Sequence, residues 1–482
     1  SDKDIILKNI RKKNKKLSKD LKINIIKEIS ETNNILSKIK INNVSINSKE
    51  IKKNDVFFAI KGKNKNGNLY IKEAFERGAS LAVVNKIDKY SNIPKQIKVK
   101  NSLKFLTEIS KILRENSKAK IIGITGSCGK TSLKELIGKS FQKISKVTYS
   151  PKSFNNKYGV PLSLFNLKTK DNFGVFEIGM DKKGEIDILS KIIKPDLAII
   201  TNISYAHAKN FNNIKQIALA KSEIIQNIKD GGIIILNSDD EFYDFHKKIA
   251  KDRNLKVFSF SMKKKNSDAS LHSIKKEGRK YKVCVNIDKK KLYFYFSSTF
   301  ESNLKNFLAT LLVMKIYKKL DKVDKNFFFD YESPEGRGDM SKIKIDKKNI
   351  FLIDESYNSN PLSLNSAIKN FDKINPKVSK KHLILGDMLE LGKHTKKLHL
   401  KISKYINRSS IDYIHVIGKH IIKTYTNIDK TKRGLILKKK SQITNLIKNN
   451  INNNDYLMIK GSNSTGLNKF TKALKAGRIN AL

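Results

Sequence analysis

Apolar positions along the chain change between two spacings, and this change predicts strands that alternate with helices. The β-branched run at Ile121, Ile122 and Ile124 predicts a buried strand. Directly after it, Leu133 and Phe141 belong to a helical repeat. Other short apolar runs, separated by helical stretches, are at 174–178, 197–203, 233–236, 350–353, 383–385, 414–417 and 456–459. Strands that are apolar on both faces are typical of a parallel sheet covered by helices, so we predict an α/β fold.

These elements group into three predicted domains. A small N-terminal α/β domain is expected at 1–101, in which residues 1–40 form a lysine-rich lead-in, helical or poorly ordered. The central domain, 102–316, starts with a helix over 103–114 and contains the strand and helix described above. The C-terminal domain, 317–482, is predicted to be Rossmann-like because its strands again alternate with helices.

The large net positive charge of the chain adds little to the prediction of its function. The 482 residues include 99 basic and 45 acidic side chains, a net charge of +54. Nucleic-acid binding is one interpretation, but the basic residues are spread along the chain without a basic block or interleaved aromatic residues. We favour a lysine-rich surface that attracts anionic, phosphate-bearing substrates.

Cysteine content and hydropathy bear on the compartment. The two cysteines, Cys128 and Cys284, imply no disulfide framework and fit a reducing cytoplasm. No apolar run approaches the roughly 18 residues of a membrane-spanning helix, and the first residues lack the apolar core of a signal peptide. We therefore expect a cytoplasmic protein without a membrane span.

The turn between the first strand and its helix predicts a phosphate-binding loop. Its sequence, ITGSCGKTS, has the pattern TGxxGKT, with Gly126 and Gly129 as loop glycines. Glycines let backbone amides approach an anion, and the helix N-terminus adds partial positive charge. Lys130 is placed to reach the terminal phosphates, and the Thr131 hydroxyl to bind Mg²⁺. For Cys128 we expect the backbone amide to matter more than the thiol.

Polar residues at the ends of neighbouring strands predict a metal site beside this loop. Glu177 ends the strand in VFEIGM, and His207 follows the next strand in IITNISYAH. Charged residues at the carboxyl edge of a parallel sheet face the ligand crevice, and this pair is suited to Mg²⁺. Taken alone, each residue is also explained as a solvated strand end or a structural histidine.

Lys221 lies in the middle of an apolar helical stripe. On the helix predicted over 213–229, the stripe consists of Ile214, Ile217, Ala218, Ile225 and Ile228. A charged lysine there is costly unless it snorkels, pairs or is chemically altered. The spacing alone leaves these alternatives open.

Four polar residues further along are candidates for nucleotide contacts. Asn303 and Asn306 are suited to an adenine edge, and Arg337, in a glycine turn, to a phosphate or carboxylate. Asp354 ends a strand, where a ribose-hydroxyl partner is usual. Each is equally explained, alone, as a turn or capping residue.

Taken in order, these motifs resemble the Mur ligases, ATP-dependent amide-forming enzymes of peptidoglycan synthesis. The matching motifs are ITGSCGKTS, SFNNKYGVPLSL, VFEIGMDKKGEI, NISYAHAKNF, IALAKSEI, LNSDD, EGRGD, DESYNSNPLSL and LGDMLELGKHTKKLH. The resemblance as a whole covers about residue 44 to the C-terminus, whereas residues 1–40 match nothing. SFNNKYGVPL, YNSNP and GDMLELG point to the member that adds the final dipeptide.

The resemblance implies an activity. An ATP-dependent ligase would join D-alanyl-D-alanine (D-Ala-D-Ala) to UDP-N-acetylmuramoyl-tripeptide (UDP-MurNAc-tripeptide) through an acyl phosphate, with the C-terminal domain closing over the central one. We expect a monomer that binds no nucleic acid. A sibling ligase that adds another amino acid is the nearer alternative, and a nucleic-acid-binding P-loop ATPase the remoter one.

The resemblance also implies roles for individual residues. ATP would be bound by Thr125, Gly126, Ser127, Cys128, Gly129, Lys130, Thr131, Ser132, Asn303, Asn306, Arg337 and Asp354. Two Mg²⁺ ions would be held by Thr131, Glu177, His207 and Lys221, with Lys221 carbamylated. The catalytic set would be Lys130, Glu177, His207 and Lys221. Substrate contacts would come from Ser48 and Lys49 at the UDP group, from Asn155 and Asn156 at the peptide-bearing substrate, and from Tyr357, Asn358 and Asn360 near the dipeptide and the transferred phosphate.

Three positions depart from the family pattern. An Asp-Ser-Arg near the start is Asn47-Ser48-Lys49 here, and a Gly-x-His before the adenine asparagines is Phe300-Glu301-Ser302. The arginine of a Lys-Gly-Ser-Arg near the end is Asn463. These changes affect the uridine, adenine and one cationic contact. They leave the phosphate loop and the metal ligands intact, so we expect activity.

Overall fold

The structure, a computed structural model, describes residues 41–62, 65–87, 95–278 and 280–478. The lead-in predicted for residues 1–40 lies outside these ranges. The described chain forms three sheets covered by helices, which confirms the predicted α/β class.

The first sheet has four parallel strands in the order β1-β2-β3-β4. Its elements are β1 (Val44–Ser45), β2 (Val56–Phe58), α1 (Ile71–Glu76), β3 (Leu81–Val84) and β4 (Gln96–Lys98). The helix that follows, α2 (Ser102–Asn116), confirms the helix predicted over 103–114. Its Phe105 packs against Phe58 of this sheet, with ring centroids 6.4 Å apart. The domain boundary at residue 101 stays a prediction.

The second sheet has nine strands in the order β13-β12-β11-β10-β9-β8-β5-β7-β6. Its strands are β5 (Lys120–Thr125), β6 (Val147–Tyr149), β7 (Phe173–Glu177), β8 (Leu197–Ile200), β9 (Ile233–Asn237), β10 (Lys256–Ser261), β11 (Ala269–Glu277), β12 (Lys280–Ile287) and β13 (Lys290–Phe296). Its helices are α3 (Lys130–Gln142), α4 (Gly159–Phe165), α5 (Glu185–Ile193), α6 (Ile214–Gln226), α7 (Tyr243–Asp252) and α8 (Glu301–Ile316). The pairs from β6 to β11 are parallel, whereas β12 and β13 are antiparallel.

Strands β10 to β13 were not predicted from the sequence. The apolar runs that we used mark strands buried on both faces, but β13 buries only alternate residues, among them Phe294 and Phe296. Phe296 stacks on Phe307 of α8 at a centroid distance of 4.7 Å. In a strand with one solvated face, apolar and polar residues alternate, and the sequence shows no continuous apolar run.

The third sheet has six strands in the order β14-β15-β19-β16-β17-β18, all parallel except β14. Its strands are β14 (Asp339–Ile345), β15 (Lys348–Glu355), β16 (Lys381–Gly386), β17 (Tyr413–Ile417), β18 (Arg433–Leu437) and β19 (Tyr456–Lys460). Its helices are α9 (Pro361–Asp372), α10 (Thr395–Asn407), α11 (Ile422–Tyr425), α12 (Ser441–Asn450) and α13 (Leu467–Lys475). The four strands predicted here correspond to β15, β16, β17 and β19. The boundary at residue 316 stays a prediction.

Strand register in the second sheet gathers the predicted site residues at one edge. Ile124 of β5 pairs with Glu177 of β7, and Thr125 pairs with Ile200 of β8. The loop after β5, the end of β7 and the segment after β8 therefore lie side by side. This is the carboxyl edge, where ligands bind in open α/β sheets.

Within the described ranges, no helix combines the length and the apolar character that crossing a bilayer requires.

Candidate active site

A cleft of about 1460 Å³ opens between the three sheets. The first domain contributes Ile46 and Ile60 to its lining. The residues predicted for the site that line the cleft are Ser127, Cys128, Gly129, Lys130, Thr131, Ser132, Asn155, Asn156, Glu177, His207, Asn303, Asn306, Arg337, Tyr357, Asn358 and Asn360. Six predicted residues are not in this lining: Ser48, Lys49, Thr125, Gly126, Lys221 and Asp354. The cleft thus collects predicted side chains that are up to 233 positions apart in the chain, from Ser127 to Asn360.

The phosphate loop is held against the segment that follows β8. Thr201 Oγ1 donates to the Cys128 carbonyl at 2.6 Å, and the Cys128 amide donates to Asn202 Oδ1 at 3.0 Å. The Ser127 hydroxyl donates to the Ser204 carbonyl at 2.9 Å. Gly126 has φ +143°, and a Cβ there would lie 1.9 Å from Thr201 Oγ1. Only glycine fits at this point of the loop.

Cys128 uses both its amide and its thiol within the protein. The backbone amide already donates a hydrogen bond to Asn202 Oδ1, so a contact of this amide with a phosphate remains a prediction. The thiol donates to Asn360 Oδ1 in the third domain at 3.1 Å. Burial raises the pKa of the Cys128 thiol, which favours a structural thiol over a reactive one.

Lys130 opens α3 and lies at the bottom of the loop. Its ammonium donates to the Gly126 carbonyl at 2.8 Å, so the side chain folds back over the loop. Desolvation lowers the pKa of Lys130, and the nearby Glu177 carboxylate opposes this shift. A cation that follows a glycine loop at a helix N-terminus is suited to bind the terminal phosphates of a nucleotide.

Glu177 is buried and bonded on both of its carboxylate oxygens. Thr131 Oγ1 donates to Oε2 at 2.7 Å, and Asn155 Nδ2 donates to Oε1 at 2.7 Å. The Glu177 side chain is 1% exposed. A hydroxyl and a carboxylate beside a phosphate loop are hard oxygen ligands, the type that Mg²⁺ prefers. The donor set therefore fits the predicted magnesium ion.

His207 lies between two carboxylates. Its Nδ1 is 2.9 Å from Asp181 Oδ1 and 2.7 Å from Glu390 Oε2, and Glu390 belongs to the third domain. The close contact with His207 is the main cause of a lowered pKa of Glu390. These three side chains form a group with the geometry to hold a cation. Sequence reasoning missed Asp181 and Glu390, although both lie within motifs quoted above.

Lys221 is buried as its position on the apolar stripe predicts. It is 2% exposed on α6, between the fully buried Ile217 and Ile225. Among the described residues, no hydrogen bond or ion pair holds its ammonium. Desolvation, with a smaller contribution from Lys130, places the pKa of Lys221 well below its ordinary value. The side chain does not snorkel to solvent, and the neutral amine is favoured.

The two predicted adenine asparagines differ in how their amides are used. The Asn303 amide donates to Ser298 Oγ at 2.9 Å and to Ser333 Oγ at 3.1 Å. Asn306 is 6% exposed and lines the cleft, and its Nδ2 has no hydrogen-bond partner among the described residues. A buried amide without a partner is costly, so Asn306 offers a donor for a ligand in the cleft.

Residues of the third domain line the opposite wall. The Arg337 guanidinium lies 4.0 Å from the centroid of the Tyr357 ring, an arrangement that fixes its position in the cleft. Glu355 and Lys460, which sequence reasoning did not select, also line the wall and pair at 3.3 Å. Glu355 directly follows the predicted Asp354, and this position at the end of the same strand could have marked it as a candidate.

Four predicted residues are bonded within the protein. Asp354 pairs with Lys475 at 2.7 Å, and Ser48 Oγ donates to Glu73 at 2.7 Å. Asn156 Oδ1 accepts from the Gly159 amide at 3.0 Å at the start of α4, and Asn360 caps α9. Of the others, Lys49 is exposed. The ligand contacts assigned to these residues remain predictions.

Comparisons with known proteins show similarity along nearly the whole chain. The Mur ligase family catalytic domain matches residues 40–115, the Mur ligase middle domain 124–314, and the Mur ligase glutamate ligase domain 340–463. The UDP-N-acetylmuramoyl-tripeptide–D-alanyl-D-alanine ligase of Rickettsia prowazekii is 31% identical over 94% of this chain and 98% of its own length. The enzyme of that name from Buchnera aphidicola (subsp. Acyrthosiphon pisum) is 32% identical over 90% of this chain and 93% of its own.

Solved structures share the fold. MurF from Acinetobacter baumannii superposes with a TM-score of 0.76 at 24% identity, over 92% of this chain and 94% of that one. MurF from Thermotoga maritima, solved in complex with ADP, gives 0.75 at 23% identity, over 93% of this chain and 100% of that one. With three matching family models and a relative of this similarity along nearly its whole length, the chain belongs to the Mur ligase family.

Proposed function

We propose that this chain is an ATP-dependent ligase that joins D-Ala-D-Ala to UDP-MurNAc-tripeptide. The support from relatives is that the similar proteins carry this activity in their names and align along nearly the whole chain. The observation that carries the proposal is the contact of Thr131 with Glu177 beside Lys130 on the phosphate loop. That arrangement suits phosphoryl transfer from a nucleotide.

The first step transfers the γ-phosphoryl group of ATP to the terminal carboxylate of the tripeptide. The bond from the γ-phosphorus to the ADP oxygen breaks, and a bond to the carboxylate oxygen forms, which gives an acyl phosphate. Both reactants are anions, so catalysis depends on neutralising their charge and on positioning. Lys130 and Arg337, both in the cleft, supply protein cations.

Magnesium would be held by Thr131 and Glu177, with His207 and Lys221 as candidate ligands of a second ion. When bound, Mg²⁺ offsets phosphate charge and orients the phosphoryl group. Asn155 holds the second oxygen of Glu177 and so orients the carboxylate. The buried amide of Asn306, which has no hydrogen-bond partner in the described part of the chain, adds a donor beside the loop.

Carbamylation of Lys221 is part of this proposal. A carbamate forms when a neutral amine attacks carbon dioxide, and the lowered pKa of Lys221 favours the neutral amine. The product is an anionic oxygen ligand, a hard donor of the kind that Mg²⁺ prefers. Lys221 is buried and has no carboxylate partner among the described residues. Carbamylation, rather than an ion pair, then explains how this side chain is tolerated there.

In the second step, the amine of D-Ala-D-Ala attacks the acyl carbon. A C–N bond forms, the bond from the carbonyl carbon to the phosphate oxygen breaks, and inorganic phosphate and one amine proton leave. Tyr357, Asn358 and Asn360 line the wall on the third domain's side, and we assign the dipeptide to that wall. A cytoplasmic location and a monomeric state remain predictions.

The test is the substrate dependence of phosphate release. With ATP and Mg²⁺, we expect phosphate only when UDP-MurNAc-tripeptide and D-Ala-D-Ala are both present, together with the coupled UDP-pentapeptide by mass spectrometry. Single amino acids in place of the dipeptide test the sibling activity. Release that is stimulated by nucleic acid, and that weakens steeply with salt, would favour the P-loop ATPase and contradict the ligase.

A further inference from the structure

Lys134 is buried in the central domain and does not line the cleft. It lies on α3, three residues after Thr131 and four after Lys130, and it is 0% exposed. All three hydrogens of its ammonium have acceptors: Glu135 Oε1 at 2.6 Å and the carbonyls of Ser150 and Lys152, each at 2.7 Å. A buried lysine with this many bonds is fixed in place.

Two of these acceptors belong to the loop that follows β6, residues 150–156. Lys152 in this loop has φ +48°, a left-handed conformation that is strained for a residue with a Cβ. Such backbone persists only where its surroundings hold it. The ammonium of Lys134 bonds the Lys152 carbonyl directly, and it therefore stabilises this turn of the loop.

The same loop holds Glu177. Ser150 Oγ accepts from the Glu177 amide at 3.2 Å, and Asn155 Nδ2 donates to Glu177 Oε1 at 2.7 Å. The Asn155 carbonyl also accepts from the Gly179 amide at 2.7 Å. The loop is thus bonded to the end of β7 on both sides of the carboxylate that faces Thr131.

The surroundings of Lys134 leave the buried Ser150 carbonyl few other hydrogen-bond partners. The Tyr149 ring covers the ammonium at 5.7 Å from its centroid. Tyr149 packs so closely on α3 that a Cβ at Gly138 would lie 2.5 Å from the ring. Ser150 itself is 0% exposed. Without the ammonium, water has little access to the Ser150 carbonyl, and an unbonded buried carbonyl is costly.

We propose that Lys134 is a positioning residue, which holds the 150–156 loop so that Asn155 and Ser150 fix the orientation of the Glu177 carboxylate. The charged helix residue thereby connects the phosphate-loop helix to the predicted magnesium ligand. The inference rests on the proposed function only for its kinetic consequence. Its structural consequence, an ordered loop, is independent of the reaction.

The first readout is hydrogen–deuterium exchange of peptides that cover the loop. Lys134→Met keeps the apolar stem and removes the ammonium, and we expect exchange in residues 150–156 to become about tenfold faster. Lys139→Met, at an exposed position of the same helix, is the matched control and should exchange as wild type. Peptides from the third sheet should not change in either variant.

The second readout separates orientation of the carboxylate from nucleotide binding. In Lys134→Met we expect the Mg²⁺ concentration that gives half-maximal rate to rise, and kcat to fall, by about tenfold or more. KM for ATP at saturating Mg²⁺ should stay within about threefold of wild type, because Lys130 and the loop are intact. Metal-free ADP binding should likewise not change.

The outcomes decide between the alternatives. A folded Lys134→Met protein with wild-type loop exchange and Mg²⁺ dependence would overturn the inference, as would faster exchange spread evenly over the whole chain. If Lys134→Met does not fold, Lys134→Gln decides: its side chain is one bond shorter and cannot reach both carbonyls, so faster loop exchange is again expected, and wild-type exchange overturns the inference. A wild type without ligase activity contradicts the proposed function alone.

Discussion

At the scale of single residues, the phosphate loop depends on contacts that the sequence does not display. Gly126 lies against Thr201, and Lys130 folds back to the Gly126 carbonyl. Glu177 receives a hydrogen bond on each carboxylate oxygen. Each of these groups is held by contacts within the protein, and such preorganisation is what electrostatic catalysis requires.

A Cβ at Gly126 tests the close approach of this loop to Thr201. We expect Gly126→Ala to weaken ADP binding by about tenfold or more, since strain and the clash together cost a few kcal/mol. Gly231→Ala is the matched control, because Gly231 also has a left-handed φ, +67°, but nothing within 4 Å of the added Cβ. Isothermal titration with ADP compares the two, and equal affinities would contradict the prediction.

The cation at Lys130 is expected to act mainly on the transferred phosphate. Lys130→Met removes the charge and keeps the apolar stem, and we expect kcat to fall by about 100-fold or more. Steady-state kinetics with both acceptor substrates measures this loss, and the exposed Lys139→Met serves as control. A fall of kcat by less than about threefold would remove Lys130 from the catalytic set.

Carbamylation of Lys221 is tested by its chemistry. At high bicarbonate, native mass spectrometry is expected to show an adduct of one carbon dioxide, which should be absent in Lys221→Ala. Short carboxylic acids should partly restore the activity of Lys221→Ala, because they supply an oxygen ligand in the vacated space. If the adduct and the rescue are both absent, the second-metal role of this residue is excluded.

At the scale of secondary-structure elements, two neighbouring strands of the third sheet share a buried histidine pair. The Leu435 amide donates to His415 Nδ1 at 3.0 Å, so the proton of His415 is on Nε2, which faces His382 Nδ1 at 3.2 Å. His382 Nε2 is 3.5 Å from the Asp455 carboxylate. Burial lowers the pKa of His415 to about 3 and also lowers that of His382. The His415 ring is therefore neutral in the folded protein near pH 7, and the neutral form of His382 is favoured.

The third sheet is expected to lose stability as the pH falls. The unfolded chain binds a proton at each histidine near pH 6.5, whereas folded His415 does not, so protonation favours unfolding below that pH. Between pH 7.5 and 5.5, His415 alone should lower the free energy of unfolding by about 1.4 kcal/mol. Native-state hydrogen exchange of β16 and β17 measures this change. His415→Gln should reduce the pH slope, and the exposed His272→Gln should not.

At the scale of the whole molecule, the central and third domains are in contact on both sides of the cleft. The Ser153 hydroxyl is hydrogen-bonded to the Tyr357 hydroxyl on one side. On the other side, His207 faces Glu390, and Lys393 donates to Asn212 Oδ1 at 3.0 Å. The cleft is therefore completed by the packing of domains, and the wall assigned to the dipeptide comes from the third domain.

The contact between Ser153 and Tyr357 provides a test of this closed arrangement. Tyr357→Phe removes the hydroxyl and keeps the ring on which Arg337 lies. A net loss of about 1 kcal/mol predicts a fall of about fivefold in kcat/KM for D-Ala-D-Ala. Tyr413→Phe, at an exposed ring in the same domain, should not change it. An unchanged constant would show that the contact does not contribute to the reactive state.

The fold and the central part of the site were predictable because their signals are local. The isoleucine run, the glycine turn and the helical repeat after Lys130 occupy one continuous stretch, and they correspond to β5, the phosphate loop and α3. Lys221 stood out because helical periodicity shows which residues are buried. The antiparallel strand β13 was missed, since its one-sided burial depends on packing against α8.

The sequence by itself determined the α/β class, the phosphate loop and the identity of Glu177, His207 and Lys221 as candidates, since spacing and residue chemistry are properties of neighbouring positions. Only the tertiary structure decided which distant groups meet. It brought Glu390 to His207 and Asn155 to Glu177, and it turned Asp354 toward Lys475. These pairings follow from strand register and domain packing, which the spacing of residues along the sequence does not specify.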